Sequence, residues 1–275
     1  RDDVYCYYFS GDEINAMNNK AISESTSGFT RWRGFYVSGD GTVSNRQIIA
    51  NNLIHQSDPN FSGNAEGFDC INTPYTDYVH NTVYLEGNSF NTPGYFNMSS
   101  TANNQSVRNN IFINLSTSGY AIDMDNMNAA DNNVYFTNSS SFGRFNFSTV
   151  GTFAQWQNTS SFDANSIIHM PDFFGPNDFR IFYDQVINDL GAPSPVSVDF
   201  EGEARNPLTP DPGMDEYQIP FNSVSLASID GPVNPICGFS NQIDITVRNI
   251  GVGPLSTFDM GGTIYHKNGT TTSLN

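Results

Sequence analysis

The chain has 275 residues, with 28 Asp and Glu against 11 Lys and Arg, and its formal net charge is −17. So acidic a surface repels phosphate backbones, which argues against nucleic-acid binding. No apolar run approaches the roughly 18 residues that a membrane-spanning helix needs, so the chain is not expected to cross a membrane.

The composition favours an all-β fold. Aromatic residues make up 13 % of the sequence and charged residues only 14 %, and the long straight-chain residues that favour helices are scarce. β-Branched and aromatic residues alternate instead with Asn, Ser, Thr and Gly, which are typical of turns. We therefore expect many short strands separated by tight turns.

A repeated asparagine marks the start of a short strand. An apolar residue, two variable positions and an Asn precede an apolar β-type run, as where Asn52 precedes Leu53 or Asn81 precedes Val83. Successive copies are separated by 29, 29, 23, 32 and 23 residues. The repeated asparagines are Asn52, Asn81, Asn110, Asn133, Asn165 and Asn188.

A second strand, opened by glycine, lies between these copies. Two strands and their turns in each period correspond to one coil of a β-solenoid, in which coils stack about 4.8 Å apart and bury one another's apolar faces. Asn tolerates left-handed backbone angles in the turns, and stacked copies would form an asparagine ladder. The glycine-opened strands are residues 34–37, 67–70, 94–98, 119–124 and 143–147.

The segment after these coils carries a more specific motif. Residues 191–195 read Gly-Ala-Pro-Ser-Pro, residues 199–202 read Asp-Phe-Glu-Gly, Arg205 follows, and residues 210–217 read Pro-Asp-Pro-Gly-Met-Asp-Glu-Tyr. Together with the repeats, this segment resembles the parallel β-helix proteins of the pectin-lyase-like superfamily, and in particular the closing segments of secreted Bacteroidota proteins. The resemblance covers residues from about 34 to 217 and implies a right-handed parallel β-helix, and we predict that this domain spans residues 1–217.

Downstream of Tyr217 the sequence changes character. Residues 218–220 are typical of a linker, and residues 243–251 resemble a strand of the β-sandwich modules of bacterial adhesins. Residues 218–275 are therefore predicted to be the N-terminal part of an immunoglobulin-like adhesin module. Because the chain lacks an initiator Met and stops within this module, we expect it to be a section of a longer protein.

The glycine-opened strands also predict an outer face. Side chains alternate between the two faces of a strand, so inward apolar residues leave their neighbours facing solvent. The residues expected to face inward are Phe35, Val37, Phe68, Cys70, Phe96, Met98, Ile122, Met124, Phe145 and Phe147. The outward column, which we predict to bind ligand, is then Tyr36, Asp69, Asn97, Asp123 and Asn146.

Carboxylates on this face are weak candidates for catalysis. Asp123 and Asp125 would lie about 6–7 Å apart, and Asp69 and Asp123 about 9–10 Å apart, by strand geometry. Both separations fall near the window of an inverting glycosidase. The predicted column contains no Lys or Arg, however, since Arg144 is adjacent but isolated, and the paired Asp and Gly-His-Gly patterns of pectin-hydrolysing relatives are missing. The pattern therefore favours a non-catalytic face.

Calcium is the one cofactor that the sequence leaves open. Asp123, Asp125, Asn126 and Asp131 supply hard oxygen ligands within one coil. A regular acidic nonapeptide repeat is missing, and the four histidines lack the spacing of a zinc site. The alternatives are a calcium site and a solvated acidic face.

The function expected from these features is non-catalytic. We expect a segment of a large secreted cell-surface protein that binds surface polysaccharide or another extracellular ligand through weak multivalent contacts. The resemblance implies an extracellular location, with export by the type IX route and attachment at the outer membrane, as in the adhesins of gliding bacteria. The alternative is a polysaccharide hydrolase or lyase that acts through the outer face of one parallel sheet.

Overall fold

The computed structural model forms two compact units, Arg1–Tyr217 and Gln218–Asn275. No helix in the described part of the chain is long and apolar enough to cross a bilayer. The described residues are 3–24, 30–87, 93–97, 104–125, 129–182, 184–219, 222–231 and 243–274.

The first unit is a parallel β-solenoid. Successive strands join three sheets in turn, and each pairs in parallel with the strand of the neighbouring coil. Five coils supply one strand to each of the three sheets. The predicted all-β parallel solenoid is therefore confirmed.

Each sheet contains one strand from each of these five coils, and the first and third sheets extend further. The first sheet contains β1 (Asp3–Ser10), β4 (Arg31–Ser38), β7 (Asn64–Cys70), β10 (Pro93–Asn97), β13 (Tyr120–Met124), β16 (Gly143–Phe145) and the antiparallel β17 (Ser148–Val150). The second contains β2 (Asn15–Met17), β5 (Gln47–Ala50), β8 (Thr76–Val79), β11 (Ser106–Arg108) and β14 (Ala129–Asp131). The third contains β3 (Lys20–Ser23), β6 (Leu53–Gln56), β9 (Thr82–Leu85), β12 (Ile111–Asn114), β15 (Val134–Thr137) and β18 (Ile167–Ile168).

The inward rows of the three sheets form one apolar core. Phe35, Phe68 and Ile122 of the first sheet are fully buried, as are Ile49 of the second and Ile54 of the third. Rings of adjacent coils pack on one another, as where the centroids of Phe35 and Phe68 lie 5.5 Å apart. Stacking thus buries an apolar face that one coil alone leaves exposed.

A buried asparagine ladder joins consecutive coils at the start of the third sheet. In each step, the Oδ1 atom of one Asn accepts the backbone N–H and the Nδ2 group of the Asn in the preceding coil, at 2.9–3.1 Å. The pattern placed Asn165 and Asn188 in this ladder, but they bind Asp131 and Asp189 instead. The members are Asn19, which the sequence pattern missed, and the expected Asn52, Asn81, Asn110 and Asn133.

The residue before each member of the ladder adopts left-handed backbone angles. At these five turn positions φ lies between 52° and 59°. Asn tolerates this conformation better than most residues, which explains why asparagines occur in pairs in the sequence. The left-handed turn residues are Asn18, Asn51, His80, Asn109 and Asn132.

Residues 190–217, here called the closing segment, run back along these turns. The Asn51 Nδ2 group donates to the carbonyl of Val198 at 2.7 Å. Asn109 exchanges two hydrogen bonds with the backbone of Ala192, at 2.7 and 2.9 Å. The turn residues therefore hold the closing segment while the ladder residues hold the coils together.

Arg205 is a buried residue whose hydrogen bonds stabilise the closing segment. Its Nη1 atom donates to the Asp211 carbonyl and to Glu216 Oε2, both at 3.1 Å. Its Nη2 atom donates to Asn51 Oδ1 and to the Gly213 carbonyl, both at 2.9 Å. These contacts explain why the motif combines an arginine, a glycine and a glutamate at fixed spacing.

The last coil is covered by helix α1 (Phe153–Ser160). Thr152 and Gln155 form a capping box at its first turn, and Trp156 is fully buried against the core. A hairpin of β19 (Phe173–Gly175) and β20 (Asp178–Ile181) packs on the third sheet. The helix thus covers the end of the solenoid, and the hairpin covers part of the outer face of its third sheet.

The second unit contains antiparallel ribbons. In one, β21 (Val224–Ile229) pairs with β22 (Ile245–Asn249). In the other, β23 (Gly262–Tyr265) pairs with β24 (Thr271–Leu274). The strands of this unit pair in antiparallel orientation, whereas those of the solenoid coils pair in parallel.

Candidate ligand-binding site

The outer face of the first sheet depends on an offset in strand alternation. Two residues, rather than one, lie between the inward-facing Trp32 and Phe35. The Arg33 side chain therefore lies on the outer face, and Gly34 is the additional residue. A Cβ atom at Gly34 would lie 2.8 Å from the Gly67 carbonyl oxygen, so only glycine fits without displacement. Gly67 makes the equivalent close approach to the next coil.

Strand register places one column of residues on this face. Two expected members, Tyr36 and Asp69, are direct partners, and the expected Asp123 lies two coils beyond Asp69. The column reads, in coil order, Tyr8, Tyr36, Asp69, Phe96, Asp123 and Arg144.

The register corrects the expected position of Asn97. Its backbone pairs with Cys70 and Met124, and the register position opposite Asp69 and Asp123 belongs to Phe96, which was expected one position away from the column. Gly94 precedes the inward register position as the glycines of the earlier coils do, so aligning the glycines predicts this register. Met98, expected to face inward, lies outside the described residues.

The position of Asn146 is also corrected. Asn146 lies in the turn after β16, with φ of 47°, where the chain reverses into β17. Phe147, expected to face inward, is 69 % exposed in this turn. Arg144 takes the place in register with Asp123. The expectation that the column contains no cation is therefore wrong.

Three tyrosines of the first two coils form a cluster, here called the tyrosine platform: Tyr5, Tyr8 and Tyr36. The Tyr8 and Tyr36 rings stack with centroids 4.7 Å apart, and Tyr5 meets both edge-on. Tyr8 is 61 % exposed and Tyr5 38 %. The Arg33 guanidinium lies over the Tyr5 ring, 4.7 Å from its centroid. The platform therefore presents apolar ring surface and phenol hydroxyls to solvent.

A network of charged side chains adjoins the platform. The Arg33 Nε atom lies 3.0 Å from Glu66 Oε2 and 2.5 Å from Asp69 Oδ2, and its Nη1 atom lies 3.2 Å from Asp3. The Arg31 Nη2 atom lies 2.5 Å from Glu66 Oε1. The sequence pattern did not predict Arg31, Arg33 and Glu66 on this face, because only the offset at the glycines brings them there.

Burial changes the acidity of this network. Glu66 is 3 % exposed and Asp69 1 % exposed. Desolvation raises the pKa of Glu66 to about 7, although hydrogen bonds and charge from Arg31 and charge from Arg33 act in the opposite direction. Desolvation also raises the pKa of Asp69. Both carboxyl groups are therefore easier to protonate than exposed ones.

Asp123 and Arg144 form a second ion pair on the same face. The Asp123 carboxylate lies 2.6 Å from Nη2 and accepts a 3.0 Å hydrogen bond from Nε. Burial raises the pKa of Asp123 to about 6 and also raises the pKa of Asp125. All three weak catalytic candidates, Asp69 included, are buried. Two of them are bound by arginine, which fixes them in place rather than leaving them free to meet a substrate.

The calcium candidates fall on two sheets. Asp123 lies in β13 and forms an ion pair with Arg144. Asp131 is the last residue of β14 and accepts two hydrogen bonds from Asn165, at 2.7 and 2.8 Å. Asn126 lies outside the described residues. Asp123 and Asp131 therefore already have partners on different sheets, and the calcium site stays a prediction.

Another acidic group lies on the closing segment. Oxygen atoms of Asp199, Glu201 and Asp215 lie within 4.8 Å of one another. Asp199 accepts hydrogen bonds from the backbone of Glu203 and Glu216, so its carboxylate also shapes the turn of the motif. These hydrogen bonds give Asp199 a structural role in the closing segment.

No protein-family model, no curated protein and no solved structure matches this chain. The chemistry of its own residues is therefore the basis for a functional proposal.

Proposed function

We propose that the chain is a non-catalytic binding segment of a secreted cell-surface protein, and that the outer face of the first sheet binds carbohydrate. The tyrosine platform carries this proposal. Sugar rings present C–H groups that pack on the negatively polarised faces of aromatic rings, and their hydroxyls bond to phenol and guanidinium groups. Tyr8 and the partly exposed Arg31 supply both kinds of contact.

Rigidity supports binding at this face. The platform lies on strands of the solenoid, and Arg33 holds Tyr5 from one side while pairing with two buried carboxyl groups. Side chains that are already fixed lose little conformational entropy when a ligand binds. A column that repeats along the coils also allows several weak contacts with one polysaccharide chain.

Surface display is the biological setting that we propose. The resemblance of the closing segment to secreted Bacteroidota proteins supports export by the type IX route and attachment at the outer membrane. The antiparallel ribbons of the second unit support an immunoglobulin-like module, because the sheets of such sandwiches are antiparallel. A rigid solenoid followed by such a module suits adhesion.

Substitution of the platform tests carbohydrate binding. Tyr8→Ala and Tyr36→Ala should each weaken binding about tenfold, since truncation of an aromatic anchor commonly removes more than about 1 kcal/mol. A glycan array identifies the ligand and calorimetry measures its affinity. Tyr265→Ala is the matched control, because Tyr265 is 81 % exposed in the second unit. Equal affinity in all variants would contradict a site at the platform.

A polysaccharide hydrolase or lyase is the second candidate. It is favoured by one observation, that Glu66 and Asp123 share a face and have pKa values raised to about 7 and 6, as a general acid requires. Release of reducing ends from neutral and acidic polysaccharides measures this activity. We expect none, and turnover that disappears in Asp123→Asn would replace the binding proposal with a catalytic one.

A further inference from the structure

Glu66 and Asp69 compete for one hydrogen-bond donor. The Arg33 Nε–H group lies 3.0 Å from Glu66 Oε2 and 2.5 Å from Asp69 Oδ2. One N–H group makes one strong hydrogen bond, so the two carboxyl oxygens are poorly satisfied if both are ionised. Because both oxygens lie against the same nitrogen atom, the two carboxyl groups are close neighbours.

The other oxygen of Asp69 has no donor. Asp69 Oδ1 is buried, and no hydrogen-bond partner for it is present among the described residues. A buried acceptor without a partner is destabilising, and more so when it is charged. A proton bound to Asp69 would remove the negative charge that makes this unpartnered acceptor costly.

The balance of charges around the pair also favours one bound proton. The groups that face the pair are Asp3 and Tyr5 from β1, and Arg31, Arg33 and Tyr36 from β4. On the opposite side, β10 places Phe96 in register with Asp69. Three carboxyl groups thus meet two guanidinium groups, and one bound proton makes the cluster neutral.

We propose that Glu66 and Asp69 share one proton at neutral pH, and that loss of this proton in alkaline solution weakens ligand binding at the tyrosine platform. The second part rests on the proposed carbohydrate function, and the first does not. Loss of the proton leaves an uncompensated charge in a nearly buried site. Arg33, which contacts both the pair and Tyr5, transmits the change to the platform.

Carboxyl ¹³C NMR of protein labelled at Glu and Asp tests the shared proton. The wild type should show one proton that titrates near pH 7, with an apparent pKa that belongs to the pair. Glu66→Gln should abolish this titration, because the amide donates where the protonated acid did. Glu86→Gln, which changes a partly exposed glutamate paired with His55, should leave it unchanged. Two carboxylates that stay ionised from pH 5 to 9 would overturn the proposal.

Ligand affinity measured across the same pH range tests the link to the platform. Affinity for the glycan identified on the array should fall about fivefold between pH 6 and pH 9 in the wild type, a modest coupling between sites. Glu66→Gln should bind equally well at both pH values. Equal pH dependence in both proteins would refute the link. Absence of any bound glycan would instead refute the carbohydrate function, while the NMR titration still decides whether the proton is shared.

Discussion

The asparagines of the ladder show why one residue type recurs. The Asn81 Oδ1 atom accepts the backbone N–H and Nδ2 group of Asn52, while its own Nδ2 group donates to the Ile49 carbonyl and to Asn110. The position therefore needs a planar group with one acceptor oxygen and two donor hydrogens. An ionised aspartate offers no donor and a serine only one, so neither replaces the amide.

Asn81→Ala tests the ladder. The substitution leaves buried donors of Asn52 and the Ile49 carbonyl without partners, so we expect the free energy of unfolding to fall by about 3 kcal/mol. Urea unfolding followed by tryptophan fluorescence measures it, because both tryptophans of the chain lie in the first unit. Asn158→Ala, at an exposed position of α1, should change stability by less than about 0.5 kcal/mol. Similar losses in the two variants would show that the ladder adds no special stability.

Among the elements, strands and coils were predictable and one register was not. The paired asparagines and the glycines located the coils because each serves a backbone conformation or a close approach that few residues allow. The outer column was predicted at Tyr36, Asp69 and Asp123, where alternation runs without interruption. At Asn97 the prediction was wrong because alternation was aligned on apolar residues rather than on Gly94. The Arg33 network could not be predicted from alternation, since an offset between inward residues creates it.

The closing segment offers a test of an element that has little regular structure. Arg205→Met leaves Glu216 buried without its guanidinium partner, so we expect a loss of about 3–5 kcal/mol. Hydrogen exchange should rise in residues 190–217 more than in the central coils. Arg180→Met removes an exposed arginine and should affect neither measurement. Uniform exchange throughout the first unit would contradict a specific role for Arg205.

For the whole molecule, buried acids determine how stability depends on pH. Burial raises the pKa of Glu66, Asp211 and Asp215 to about 7 and that of Asp123 to about 6. In the unfolded chain these groups titrate near 4. The folded state therefore holds protons that the unfolded state has released, and their stabilising effect is lost as pH rises from about 4 through 7.

The first unit should accordingly be more stable in mildly acidic than in alkaline buffer. We expect a higher urea midpoint at pH 5.5 than at pH 8, measured by tryptophan fluorescence. The repulsion of a net charge of −17 acts in the same direction, because it weakens as carboxylates are protonated. Glu66→Gln should reduce the difference between the two midpoints. Burial lowers the pKa of His55 and His80, which acts in the opposite direction, so the Glu66→Gln variant isolates the acid. An unchanged difference between the two midpoints in this variant would contradict the raised pKa of Glu66.

The closing segment changes the cooperativity of a repeat fold. In an ordinary solenoid each coil contacts only its neighbours, so end coils can unravel one at a time. Here the closing segment forms hydrogen bonds with four successive coils, through Asn51, His80, Asn109 and Asn132. Opening any one of those coils also disturbs the closing segment, which the other three coils share. The closing segment therefore couples distant repeats, and these four coils should unfold as a single unit rather than in sequence.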